Sequence, residues 1–156
     1  MVSPFHSSVE SGLRALIVLL ESYPKSYDLD RLHHYDHIIV HSKDFGGEKS
    51  LHAEIPSRSN ELLVRRNIVE DGVRLLRRKG LVEQVLDPKE GILFKASDGA
   101  YSYIETLESE YIAKLRCCAR WMLSQYGDLN AQELKRIVSV EEYHVIDNKF
   151  NFVMED

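Results

Sequence analysis

No apolar run in this chain approaches the roughly 20 residues that cross a bilayer. The longest, Ala15 to Leu20, reads as part of an amphipathic helix. The start, MVSPFHSSVESG, lacks the basic residues and apolar core of a signal peptide, so a cytoplasmic, membrane-free protein is expected. Cysteine is nearly absent: Cys117 and Cys118 are neighbours, point to different faces of a helix and form no CxxC pair. Reduced helix residues are expected, not a disulfide framework. The chain has no P-loop, no GxSxG elbow, no Rossmann glycine pattern and no HExxH. It also lacks repeats and low-complexity tracts. A noncatalytic protein without cofactor or metal is the expectation. Excess basic charge is missing too: 20 Lys and Arg stand against 25 Asp and Glu, a formal charge of −5 and a pI near 5.8. Proteins whose main partner is DNA usually carry a basic face that neutralises phosphates, so this balance argues against DNA as the main partner.

What is present is a helix-rich pattern on 156 residues, 44% of them apolar and 29% charged. Val9, Leu13, Leu16, Ile17 and Leu20 recur at helical spacing over 7–23, with Ser7 and Glu10 spaced as a capping box and Pro24 as the stop. Asp28 caps a second helix that runs to about His41. Its apolar side, Leu29, Leu32, Tyr35, Ile39 and Val40, includes one acid, Asp36, which reads as a buried acceptor. Residues 42–58 form a long connection, of the kind that often carries function. Helix follows over 59–79, either continuous or broken near Asn67, with Val69, Gly72, Val73 and Leu76 inward and Gly80 as its C-terminal stop. The segments 81–86 and 92–96, joined by Asp87-Pro88-Lys89-Glu90-Gly91, read as a hairpin. Helices over 98–107 and 109–126 follow, and Asn130 with Glu133 caps another. The fold class expected is mainly α with a small β-hairpin: a winged-helix-like domain over 1–97, its wing at 81–96, and a C-terminal helical extension over 98–156.

Three features could carry function. His33, His37 and His41 step by four, and with His34 they fall away from the Leu32/Ile39 stripe. Such a stripe could begin a zinc site, but no ligand motif completes it; a polar face meeting solvent or a partner is the expectation. The basic run Arg58, Arg65, Arg66, Arg74, Arg77, Arg78 and Lys79 lies on the helix that would enter a DNA groove. Glu70 and Asp71 interrupt it, with Glu70 at ion-pair spacing from Arg74. Nonspecific contact with a DNA backbone is left to Arg77, Arg78 and Lys79. The wing has one lysine against two acids and an apolar edge, which suits protein contact better than phosphate contact.

The stretches SPFHSSVESGLRALIVLL, YPKSYDLDRLHHYDHIIVHSKD, SLHAEIPSRSNELLVRRNIVEDG and RRKGLVE, in this order, resemble a known family. It is the middle component of bacterial ABC-three-component systems, the small subunit of Lamassu-type antiphage defence. The resemblance covers about Ser3 to Leu129. It implies a noncatalytic adaptor that works with an SMC-like coiled-coil ATPase and an effector nuclease, linking ATP state to effector control when foreign DNA is met. DNA would then be reached mainly through the complex. No catalytic residue is carried over. The matching motifs make Ser50, Leu51, His52, Pro56, Arg58, Glu61, Arg65 and Arg66 the candidate partner-binding residues. The alternative is a free-standing winged-helix transcriptional regulator that binds DNA.

Overall fold

The computed structural model describes residues 7–47 and 58–140, and within the helix that begins at Arg58 it describes side chains from Arg65 onward. Helix α1 spans Ser8–Glu21 and α2 spans Leu29–Val40. A short 3-10 turn follows at Ser42–Phe45. Helix α3 spans Arg58–Arg78, strands β1 and β2 span Val82–Asp87 and Gly91–Ala96, and α4 and α5 span Ala100–Glu105 and Glu110–Tyr126. A further helix runs through 131–140. Among the described residues, no helix is long and apolar enough to cross a membrane.

Local chemistry explains most boundaries. The Asp28 carboxylate accepts from the Arg31 amide at 2.8 Å and caps α2. Asn130 Oδ1 accepts from the Glu133 amide at 2.8 Å and caps the last helix; the Glu133 carboxylate answers to the Asn130 side-chain Nδ2 at 2.9 Å, not to its backbone N–H, so half of the expected box forms. At Ser7 the expected box does not form: the residue is extended, but its side chain makes no capping bond. Helix α3 is unbroken at Asn67. Gly80, at φ 76°, ends it, with Leu81 donating to Leu76 and Gly80 to Arg77 at 3.0 Å each.

The hairpin pairs Val82 with Ala96, Gln84 with Phe94 and Leu86 with Ile92 on one face. Its turn is built by the Asp87 carboxylate, which accepts from the amides of Lys89 and Glu90 at 2.8 Å each. A single antiparallel bridge joins Tyr27, between α1 and α2, to Phe94 on the free side of β2. Helix, bridge, helix, helix and hairpin follow one another in an order compatible with a winged helix. One apolar cluster takes in residues of both parts of the chain. It includes Leu16, Leu32 and Val73, and also Ile104, Leu115, Met122, Leu134 and Val138.

The helices meet closely where α1 crosses α3. A methyl group built on Gly72 would lie 2.3 Å from the Ser8 carbonyl oxygen and 2.6 Å from the Gly12 nitrogen. One on Gly12 would lie 2.8 Å from the Gly72 oxygen. Only backbone fits at this crossing, and backbone cannot swing aside as a side chain can. Gly72→Ala should therefore lower stability by about 1–3 kcal/mol or more, the cost of overpacking, despite alanine's better helix propensity. Urea unfolding measures it; an unchanged or raised midpoint would mean that the two helices separate without cost.

Candidate functional site

The interior is organised around one carboxylate. Asp36, on the apolar side of α2, accepts from Arg14 Nε of α1 at 2.6 Å and from a terminal nitrogen of Arg65 of α3 at 2.9 Å. Both arginine side chains are fully buried. Arg14 also donates to Ser11 Oγ at 3.0 Å. Burial pushes the Asp36 carboxyl up, but the Arg14 and Arg65 charges outweigh it and hold the group below its ordinary range. Burial pulls the Arg14 guanidinium down, and Asp36 more than offsets it. The reading of Asp36 as a buried acceptor holds.

This geometry corrects the placement of Arg65. Read as exposed charge for a partner, it lies inside the molecule because it shares the Asp36 carboxylate with Arg14. Its neighbour Arg66 is half exposed and pairs with Asp30. Of the other expected partner-binding residues, Ser50, Leu51, His52 and Pro56 lie outside the described residues. Arg58 and Glu61 fall in α3 where no side chain is described.

The histidine stripe is corrected as well. His33, His37 and His41 are buried, at 6%, 2% and 1% exposure, not on a solvent-facing side. Helix α2 packs against α1, α3, α5 and β2, so little of its circumference is left for water. The His37 and His41 rings stand 4.8 Å apart, and His37 meets the Phe45 edge. Tyr126 donates to the Phe45 carbonyl at 2.9 Å and pins the 3-10 turn to α5. Among the described residues no group of three His, Cys, Asp or Glu side chains is placed to hold a metal ion.

The outward-facing site is a groove of about 880 Å³ between α3 and the wing. Its α3 wall carries Arg74, Arg77 and Arg78 beside Glu70 and Asp71. Its wing wall carries Gln84, Ile92 and Phe94, over a floor of Leu29 and Val73. Arg74 is committed to Glu70 at 2.6 Å, the pair expected from their spacing. Arg77, Arg78 and Lys79 are exposed and make no ion pair among the described residues. The wing's acids are engaged: Asp87 builds the turn, and Glu90 accepts from Arg31 of α2, which also stacks 5.7 Å over Tyr27. The groove itself was missed in the sequence; its signal was the cross-strand pair Leu86 and Ile92, which continues the core-facing side of the hairpin beyond the core.

A family model for the middle component 2 of ABC-three component (ABC-3C) systems matches residues 4–147. The chain belongs to that family. No curated protein and no solved structure matches it. As a middle component it is one part of a system of several proteins, so partner proteins are implied.

Two predictions follow from the buried polar groups. Arg65→Glu should unfold or strongly destabilise the protein, by about 3–5 kcal/mol, because it sets a carboxylate against Asp36 and breaks a buried pair. Arg66→Glu, at an exposed site, should stay within about 1 kcal/mol. Circular-dichroism melting separates the two; equal melting curves would contradict the burial of Arg65. The second concerns pH. Burial first, then the neighbouring His34, holds His33 down to about 4. The unfolded chain, with a histidine pKa of about 6.5, takes up the proton first. This contribution is whole above about pH 6.5 and is lost as pH falls towards 4, a change of about 3 kcal/mol. Denaturant midpoints should drop over that window, and His33→Gln should flatten the drop; an unaltered slope in the variant would clear His33 of the role.

Proposed function

We propose that this chain is the noncatalytic adaptor of a Lamassu-type antiphage ABC-3C complex. In this role it joins an SMC-like coiled-coil ATPase to an effector nuclease, in the cytoplasm, when phage or plasmid DNA is met. The observation that carries this reading is the match to the middle-component family over nearly the whole chain. The surface supports it. The helix next to the wing has acids among its arginines, and the wing carries exposed Leu86 and Ile92 with Lys89 as the one cation of its turn.

The free-standing regulator is the second reading, favoured by Arg77, Arg78 and Lys79 at the wing-side end of α3. The net charge of −5 and the Glu70 and Asp71 carboxylates oppose it. DNA contact in the adaptor reading is a minor, salt-sensitive contribution from those three cations.

The test is co-expression with the coiled-coil ATPase and the nuclease that this reading calls for, followed by purification at physiological salt. The chain should elute with the coiled-coil ATPase, hydrolyse neither ATP nor DNA when alone, and bind duplex DNA weakly and without sequence preference. A chain that elutes alone and protects one defined operator would establish the regulator instead.

A further inference from the structure

The groove between α3 and the wing combines two chemistries that are seldom adjacent on a surface built only for solvent. Its floor and wing wall are mainly apolar, Leu29, Val73, Phe94 and Ile92, with Gln84 as the polar member. The hairpin register places Leu86 across from Ile92 on the same face, at 75% and 52% exposure, so the apolar strip runs from the core to the wing tip. Exposed apolar side chains are ordinary when scattered. Here they are paired, and continuous with a concave floor. The opposite rim is cationic on balance, with Arg74, Arg77 and Arg78 against Glu70 and Asp71. Arg74 is neutralised by Glu70, but Arg77, Arg78 and the adjoining Lys79 are not engaged by any acid among the described residues. At about 880 Å³ the space is at the large end of the range for ligand sites, about 300–1,000 Å³, and takes several side chains at once.

We infer that this groove docks an acidic amphipathic helix of a partner protein. Apolar residues at i, i+3, i+4 and i+7 would lie against Leu29, Ile92 and Leu86, over a floor that Val73 and Phe94 close from the core side. Asp or Glu on one flank would meet Arg77 and Arg78. Charge complementarity selects this occupant. A basic or neutral helix leaves the arginines desolvated without partners, which is costly. Duplex DNA would lay phosphates over exposed Leu86 and Ile92, which an amphipathic helix can cover with apolar side chains. The inference rests on the adaptor reading for the source of the helix, not for the chemistry of the groove.

Two measurements keep those apart. The first uses the chain alone. A fluorescein-labelled synthetic helix with Leu at the core positions and Glu on both flanks should bind. Its affinity should fall at least tenfold in Arg77→Glu/Arg78→Glu, and likewise in Leu86→Asp/Ile92→Asp. Both double variants change exposed residues and should melt like the wild type; if one does not, Arg78→Gln and Ile92→Ser replace it. A Lys-flanked peptide should bind at least tenfold more weakly than the Glu-flanked one. Failure of the Glu-flanked helix to bind, indifference to the variants, or tighter binding of a 20-base-pair duplex at the same site would overturn the inference. The second uses the co-expressed complex, with a photo-crosslinking residue in place of Ile92. The crosslink should fall in an Asp- and Glu-flanked apolar stretch of another component. A complex that forms but crosslinks elsewhere overturns the docking inference and leaves the adaptor reading standing. A chain that binds the acidic helix but enters no complex does the reverse.

Discussion

Three helices converge on the Asp36 carboxylate, and the remaining architecture depends on that meeting. One oxygen takes Arg14 from α1 and the other takes Arg65 from α3. Buried ion pairs add little net stability compared with well-packed apolar residues of similar size. Their effect lies in discrimination. An apolar contact tolerates a helix sliding by part of a turn, whereas a carboxylate shared by two guanidiniums is satisfied at one placement only. The Gly12 and Gly72 crossing works with it, because it lets the α1 and α3 backbones approach until both arginines reach the same acid.

This interior arrangement determines what reaches the surface. Arg65 is spent inside, Arg66 on Asp30, and Arg74 on Glu70. Of the basic side chains described on α3, those left for outside contacts are at its wing-side end. The same is true of the wing: Asp87 is consumed by its turn and Glu90 by Arg31. Counting charges along the sequence overstates both signs here, since several of them pair within the fold. The other end of α1 is handled alike. Burial would raise the Glu21 carboxyl, but Arg120 and Arg116 of α5 hold it low and tie α5 to α1.

Elements were legible wherever a local rule governed them. Asp28, Gly80, Asn130 and the five-residue turn act within a few residues of themselves, and each does what its type and spacing imply. The Leu32/Ile39 stripe was equally local, but it assumes a helix with one buried side. Helix α2 is packed on several sides, so His33, His37 and His41 are internal although they lie off the stripe. Arg65 failed for a related reason. Its type says surface, and only a long-range partner says otherwise. The signal was present in two pieces: an acid on the apolar side of α2, and Arg14 embedded in the run LRALIVLL. A buried acid requires a buried base, and a second base on α3 completes the pair of oxygens. The groove could not be read from any one segment, because its walls come from α2, α3 and both strands and exist only once the hairpin folds against the helices.

The wing's tether explains how an apolar strip can remain exposed without collapsing onto the body. A hairpin of two strands is marginal by itself. This one is fixed at its base by Val82, Phe94 and Ala96 in the core, at its side by the Tyr27 bridge, and at its tip by Glu90 on Arg31. Arg31 is itself held by stacking over Tyr27. These contacts set the distance between the wing and α3, and so the width of the groove, before anything enters it. A partner helix then meets a surface whose ordering has already been achieved in folding, and association loses less free energy to loop and side-chain ordering. The rigidity that positions a wing for a DNA groove serves equally well to hold a helix, and the lining here mixes apolar side chains on the wing with arginines and acids on α3.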